Sequence, residues 1–272
     1  MAPIRRAPIG VFDSGVGGLT VLRALRSALP GEDFIYLGDT ARLPYGTKSA
    51  DTVVRYSLQC ADALVARDIR CLVVACNTVS ASALGALRSR YPAIPIIGVI
   101  EPGAMAAVAA SRSRHIAVIG TEGTIGGGAY TAAIRRLDPA ARVIARPCSL
   151  FVAMAEEGWV DGAIAESVAR RYLEPIFSSD GVPGQTPDTL VLGCTHFPVL
   201  AGAIRAVIPD SVRIVDSAET TAAAVLAQLE NPAPGRGAVR WLATDGAARF
   251  ARVSGTFLGT ALHADDIEII DL

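Results

Sequence analysis

Leu72-Val73-Val74-Ala75-Cys76-Asn77-Thr78 is an apolar run that breaks into a thiol and two small polar side chains. A continuous Val/Ile/Leu run of this length, without polar alternation, suits a strand buried on both faces of a parallel sheet. The same cadence returns in Leu190-Val191-Leu192-Gly193-Cys194-Thr195-His196. A second pair of echoes is Ile9-Gly-Val-Phe-Asp13-Ser14-Gly15 and Ile116-Ala-Val-Ile-Gly120-Thr121-Glu122-Gly123. The two cysteines lie too far apart for a short repeat array, so the echoes point to two duplicated α/β units. Working outward, strand-length apolar runs fall at residues 8–12, 34–37, 70–75, 95–99, 115–119, 142–146, 189–193, 212–215 and 239–243. Stretches of helical period lie between most of them, at residues 17–29, 50–67, 80–90, 123–137, 163–177 and 220–229. This alternation predicts an α/β fold of two pseudo-duplicated domains with mainly parallel central sheets. In such sheets the functional groups gather at the carboxyl ends of the strands. Ile96-Ile-Gly-Val-Ile-Glu-Pro102 is the expected crossover between the units, and Asn231-Pro-Ala-Pro-Gly-Arg-Gly237 reads as a loop. By periodicity alone, the segment after Ser217 fits either half.

Composition narrows the class. The chain has 272 residues, a formal net charge of −1, 51% hydrophobic and 19% charged residues, which excludes intrinsic disorder. No apolar run approaches the ~18 residues of a membrane-spanning helix. Met1-Ala-Pro-Ile-Arg-Arg6 passes into a strand without the apolar core of a signal peptide. Near-neutral charge provides no broad field for nucleic acid or an anionic membrane, so neither is an expected partner. The cysteines are Cys60, Cys71, Cys76, Cys148 and Cys194, with no C-x-x-C pair. An odd count in a chain of this size argues against a disulfide framework and for a reducing, cytoplasmic setting.

Cys60, Cys71 and Cys148 read as inert buried hydrophobes. Cys76 and Cys194 differ, because each ends an apolar strand where helix N-termini gather, a setting expected to favour thiolate. Two facing thiols fit a disulfide, a nucleophile with an idle neighbour, or a pair of acid–base groups. Acid–base thiols on opposite sides of one carbon invert a stereocentre: one removes the proton and the other donates on the far face. A thiol pKa near about 8.5 leaves both forms usable at working pH. Asp13-Ser14 is either a helix cap or a carboxylate set for a cationic amino group. Gly15 and Gly17 imitate a dinucleotide-binding loop, with Asp39 at the expected distance, but Thr20 stands in the third glycine position. Asp13 would also aim its charge at the pyrophosphate. Tyr45, Gly46 and Thr47 offer hydroxyl and backbone donors to a carboxylate, and Asn77, Thr78, Thr195 and His196 add donors at the same sheet edge. His196 is placed to raise the thiolate fraction of Cys194 or to relay its proton. Glu156 is either a solvated helix end or the group that orients His196. His115 and His263 read as structural. Lys48 is the only lysine, hence the only Schiff-base candidate for pyridoxal phosphate. No metal-ligand spacing occurs, so neither cofactor nor metal is expected.

Several long stretches together carry a resemblance: Ile9-Gly-Val-Phe-Asp-Ser-Gly-Val-Gly-Gly-Leu-Thr, Tyr36-Leu-Gly-Asp-Thr-Ala-Arg-Leu-Pro-Tyr-Gly-Thr, Val74-Ala-Cys-Asn-Thr, Glu156-Glu-Gly and Leu190-Val-Leu-Gly-Cys-Thr-His-Phe-Pro. The chain resembles the glutamate racemases of the aspartate/glutamate racemase superfamily, from Ile9 to Asp216; the region after Ser217 is less distinctive. The resemblance implies interconversion of L- and D-glutamate without a cofactor, supplying D-glutamate for bacterial peptidoglycan. It implies that Cys76 takes the α-proton of D-glutamate and Cys194 that of L-glutamate. Asp13, Ser14, Tyr45, Gly46, Asn77, Thr78, Thr121, Thr195 and His196 would bind substrate. Asp13 and His196 would also assist their nearer thiols, with Glu156 behind His196. The implied fold is two α/β domains with the site in the cleft between them: residues 1–98 with 217–272, and residues 99–216. A homodimer is expected. The competing expectations are an aspartate or hydantoin racemase, a nucleotide-binding module and a dithiol redox protein.

Overall fold

Strand β1 (Ile9–Asp13) is buried along its whole length, because parallel partners flank it on both sides. In the computed structural model, which describes residues 7–178, 186–229 and 232–272, the other strands are β2 (Phe34–Gly38), β3 (Cys71–Val74), β4 (Ile96–Gly98), β5 (His115–Gly120), β6 (Arg142–Pro147), β7 (Thr189–Gly193), β8 (Arg213–Asp216), β9 (Val239–Ala243) and β10 (Ile267–Ile269). They form two all-parallel sheets, of order β10-β9-β2-β1-β3-β4 and β6-β5-β7-β8. The order β2-β1-β3-β4 repeats as β6-β5-β7-β8. The strands that echo in sequence, β1 with β5 and β3 with β7, therefore hold equivalent places. The duplication read from apolar cadence is present in the topology.

Alternation along β1 divides the core. Ile9 and Val11 point into an apolar cluster that continues through Ile116–Ile119 and Leu190–Leu192, joining both sheets. Phe12 points into a second cluster with Leu37, Val74 and Leu64 on the far face of the six-stranded sheet. Each fully buried Val, Leu or Ile contributes about 1.5–3 kcal/mol relative to exposure, so a slip of one residue would expose a whole face. The helix Ser217–Gln228 packs on both Leu19–Ala28 and Ile100–Ala110. β9 and β10 extend the first sheet beyond β2.

The expected strands all form, most with ends shifted by a residue. β10 was not expected: it is a three-residue edge strand with a single buried side chain, Ile267, too short and polar for a periodic signal. The expected helix at 80–90 is two, Asn77–Ser82 and Leu84–Arg90. The helix expected at 123–137 breaks at Gly128, whose φ of 64° starts the second piece. The expected crossover at 96–102 is β4 followed at once by the helix Ile100–Ala110. Met1–Arg6 and Asn231 lie outside the described residues. Among the described residues no helix is long and apolar enough to cross a membrane, and all five cysteines are free and buried.

Candidate active site

The carboxyl ends of equivalent strands deliver equivalent residues. Asp13 closes β1 and Thr121 follows β5; Cys76 lies just past β3 and Cys194 just past β7. A cavity of about 240 Å³ opens among them. Its lining includes Ser14, Tyr45, Gly46, Thr47, Cys76, Asn77, Thr78, Thr121, Glu156, Cys194, Thr195 and His196. All the expected site residues except Asp13 therefore meet at one small cavity. Leu43 and Pro44 also line it, as do Ser149, Val152 and Ala153. Val152 and Ala153 precede Glu156 at helical spacing on the helix Leu150–Glu156, and Ser149 occupies its N-cap position.

Asp13 lies apart from the other expected residues. It is fully buried and outside the lining. Its Oδ2 accepts from the amides of Gly15 (3.1 Å) and Gly18 (3.0 Å), and its Oδ1 has no hydrogen-bond partner. The carboxylate is thus turned into its own loop, beneath the cavity wall. The glycine loop exists for packing: a Cβ at Gly17 would lie 2.4 Å from His196 Nδ1, and one at Gly18 2.5 Å from Asp13 Cβ. Thr20 Oγ1, where a nucleotide loop needs glycine, donates to the carbonyls of Gly17 (2.9 Å) and Thr195 (3.0 Å).

Tyr45 lines the cavity with its hydroxyl already paired. Its hydroxyl donates to Asp39, which also accepts from Arg42 Nε (2.7 Å) and Thr244 Oγ1 (2.9 Å). The phenol hydroxyl is therefore committed to Asp39, while Tyr45 still lines the cavity. Close packing fixes this loop, since a Cβ at Gly46 would lie 2.7 Å from Thr121 Cβ. Across the cavity, Thr78, Thr121 and Thr124 join hydroxyls at 3.0–3.2 Å; Thr124 was not anticipated. Asn77 is locked by Tyr130, whose hydroxyl donates to Oδ1 at 2.8 Å. That leaves Asn77 Nδ2 buried without a partner.

The two thiols sit in different chemistry. Cys76 Sγ lies 3.5 Å from Ser14 Oγ. Burial first, and then the Asp13 carboxylate, push the Cys76 thiol up to about 12, against the pull of the Val79 amide and Ser14. The expected thiolate bias of a helix start is outweighed here by desolvation. Cys194 Sγ lies 3.8 Å from His196 Nδ1, and His196 Nε2 lies 3.2 Å from Glu156 Oε1. Burial disfavours the imidazolium, but hydrogen bonds to Cys194 and Glu156 and the charges of Cys194 and Asp13 raise His196 well above its ordinary value. Burial likewise opposes charge on Glu156, while His196 and Arg249 hold it below the usual carboxylate range. Of the two readings of Glu156, the solvated helix end does not occur. The two sulfurs therefore have different neighbours, the His196 imidazole at Cys194 and the Asp13 carboxylate and Ser14 hydroxyl at Cys76.

Among the described residues no group of three or more His, Cys, Asp or Glu side chains is arranged to hold a metal ion. Lys48 does not line the cavity.

Comparison with known proteins adds the following. The family model for Asp/Glu/hydantoin racemases matches residues 9–225. A glutamate racemase of Geobacter metallireducens is 52% identical over 259 residues, covering 93% of each chain. The solved glutamate racemase of Francisella tularensis, in complex with D-glutamate, superimposes with a TM-score of 0.88 at 36% identity over 98% of both chains. That of Thermus thermophilus, in complex with beta-chloro-D-alanine, does so with 0.85 at 42% identity, again over 98% of both.

Proposed function

The chain belongs to the Asp/Glu/hydantoin racemase family, and on that premise we propose that it interconverts L- and D-glutamate with two cysteine bases. The observation that carries this reading is the pair of thiols at equivalent strand ends of two duplicated sheets, both lining one cavity. In the L-to-D direction Cys194 acts as thiolate and takes the α-proton. The electron pair left on the α-carbon spreads into the carboxylate. Cys76, as thiol, returns a proton on the opposite face, leaving Cys76 thiolate and Cys194 thiol. The D-to-L direction is the same path reversed. His196, charged and bonded to Glu156, is a partner for thiolate at Cys194, and a high-lying Cys76 thiol suits the donor. Asn77 Nδ2 and the hydroxyls of Ser14, Thr78, Thr121 and Thr195 are the donors for substrate carboxylates, with the backbone of Tyr45 and Gly46 beside them. Asp13 acts through Cys76 rather than by touching the substrate amine.

The same reading makes residues 1–98 with 217–272 one domain and residues 99–216 the other. It places the enzyme in the cytoplasm as a homodimer that supplies D-glutamate to peptidoglycan synthesis and needs no cofactor. Circular dichroism on pure L-glutamate with purified protein tests it: the expected result is decay of the signal to zero. Turnover of aspartate or a hydantoin with glutamate untouched would move the assignment within the family.

A further inference from the structure

His196 is held from a direction the two-base scheme does not use. The helix Ala247–Leu258 follows β9, in the six-stranded sheet, whereas Glu156 and His196 follow β6 and β7 of the other sheet. From that helix, Arg249 Nη2 donates to Glu156 Oε2 at 2.7 Å. Two turns on, the fully buried Phe257 meets the His196 ring edge to face, centroids 5.1 Å apart at 77°. The eight-residue spacing puts both contacts on one helix face. Glu156 thus has one oxygen on His196 and the other on Arg249, so its position relative to the imidazole depends on both. The Arg249 side chain is 45% exposed and that of Glu156 12%. A pair as exposed as this adds little to stability, yet it fixes a nearly buried carboxylate at the site.

Resting on the two-base reading, we infer that Arg249 is a positioning residue for the Cys194 side of the reaction, holding Glu156 so that His196 is oriented toward Cys194. Arg249 touches neither thiol and lies outside the cavity lining. Its influence runs Arg249–Glu156–His196–Cys194, and among the described residues no hydrogen bond or ion pair links Arg249 to Cys76. Because it comes from the opposite sheet, the Cys194 base is completed only by the packing of one half against the other. Arg249 therefore affects the two halves of the reaction unequally.

The test uses the full chain, wild type, Arg249→Met and Arg249→Lys, with α-deuterated L- and D-glutamate in separate assays. Deuterium on L-glutamate reports cleavage by Cys194, and on D-glutamate cleavage by Cys76. Wild type should show a kinetic isotope effect on kcat/KM with both. Arg249→Met should lower kcat/KM between about tenfold and a hundredfold, the size that follows from misplacing a reacting group. The isotope effect should grow with deuterated L-glutamate and shrink toward unity with the D-enantiomer. Arg249→Lys, which keeps the charge, should recover much of the loss. A second readout needs no turnover: the His196 imidazole NH resonance, identified by its loss in His196→Asn, should move in Arg249→Met. Equal change in both isotope effects, or an unmoved His196 resonance with wild-type kinetics, overturns the inference. Wild type that fails to racemise glutamate brings down the underlying reading itself, and the resonance then still reports whether Arg249 positions His196.

Discussion

Asn77→Ala is the most informative single change for substrate binding. Asn77 Nδ2 is buried without a partner, while Tyr130 holds Oδ1 at 2.8 Å and so keeps the amide from turning over. A buried donor left unpaired costs about 1–3 kcal/mol, a cost removed when a carboxylate enters the cavity. A hydrogen bond to a charged acceptor contributes about 1.5–3 kcal/mol. At about 1.4 kcal/mol per factor of ten, Asn77→Ala should lower kcat/KM by about 10- to 150-fold. How the loss divides identifies the carboxylate served. The α-carboxylate gains negative charge as the α-proton leaves, so losing its donor lowers kcat. The side-chain carboxylate keeps its charge throughout, so losing its donor raises KM at constant kcat. Steady-state circular dichroism in both directions measures this, with thermal unfolding as the control. Tyr130→Phe is the companion: the amide is freed to turn, and activity should fall partway toward that of Asn77→Ala. A folded Asn77→Ala enzyme within about threefold of wild type, against the floor of about tenfold given above, would refute the assignment.

Other outcomes follow from the same geometry. The pH profile of kcat/KM should be bell-shaped and superimpose in the two directions, since both thiolate forms carry the same number of protons. His196 is raised and must stay protonated, so activity is retained below its pKa and lost as pH rises through it, with the alkaline limb above the ordinary histidine range of about 6.5; a limb at that ordinary value would contradict the pairing with Cys194. Activity should survive EDTA and hydroxylamine dialysis and largely persist in Lys48→Arg; loss that pyridoxal phosphate restores would contradict the cofactor-free reading. Gly17→Ala places a methyl 2.4 Å from His196 Nδ1, so kcat and the melting temperature should both fall, the latter through overpacking of about 1–3 kcal/mol; unchanged kcat would mean that His196 need not stay where it is. In D2O, D-glutamate formed from L-glutamate should carry deuterium from the first turnover while recovered L-glutamate stays protiated early, and Cys76→Ala or Cys194→Ala should abolish racemisation; near-wild-type racemisation by Cys194→Ala would end the two-base scheme.

What the sequence disclosed and what it hid separate on physical grounds. β3 and β7 were legible because a strand buried on both faces is continuously apolar and ends where the polar residues start. Cys76 and Cys194 stood out at those ends. The helix Leu150–Glu156 was missed because Leu-Phe-Val-Ala-Met-Ala shows no polar face until Glu156. β10 was missed because an edge strand buries too little to need a pattern. The orientations of Asp13 and Tyr45 were hidden for another reason. Each side chain has a partner set by folding, the amides of Gly15 and Gly18 on one oxygen of Asp13 and the Asp39 carboxylate for Tyr45. Sequence pattern identifies polar groups near a site but not which of them the protein itself has already paired.

Inversion at a carbon demands two proton-transfer groups approaching opposite faces of one plane, a demand that a single strand edge cannot meet. Two sheets built on the same strand order meet it directly, because equivalent strand ends bring a thiol from each half to a shared cavity. Duplication alone would yield equivalent thiols, yet a racemase at rest needs one to hold the proton and the other to lack it. The supporting residues break the symmetry. Where β1 ends in Asp13, the equivalent strand β5 ends in Gly120, so only the first half has a carboxylate at that position. Where the first half has Thr78 two residues past its cysteine, the second has His196, so only Cys194 has an imidazole. On the proposed two-base reading, these differences at matched positions make Cys76 the proton donor and Cys194 the base for L-glutamate, and one turnover exchanges the two roles.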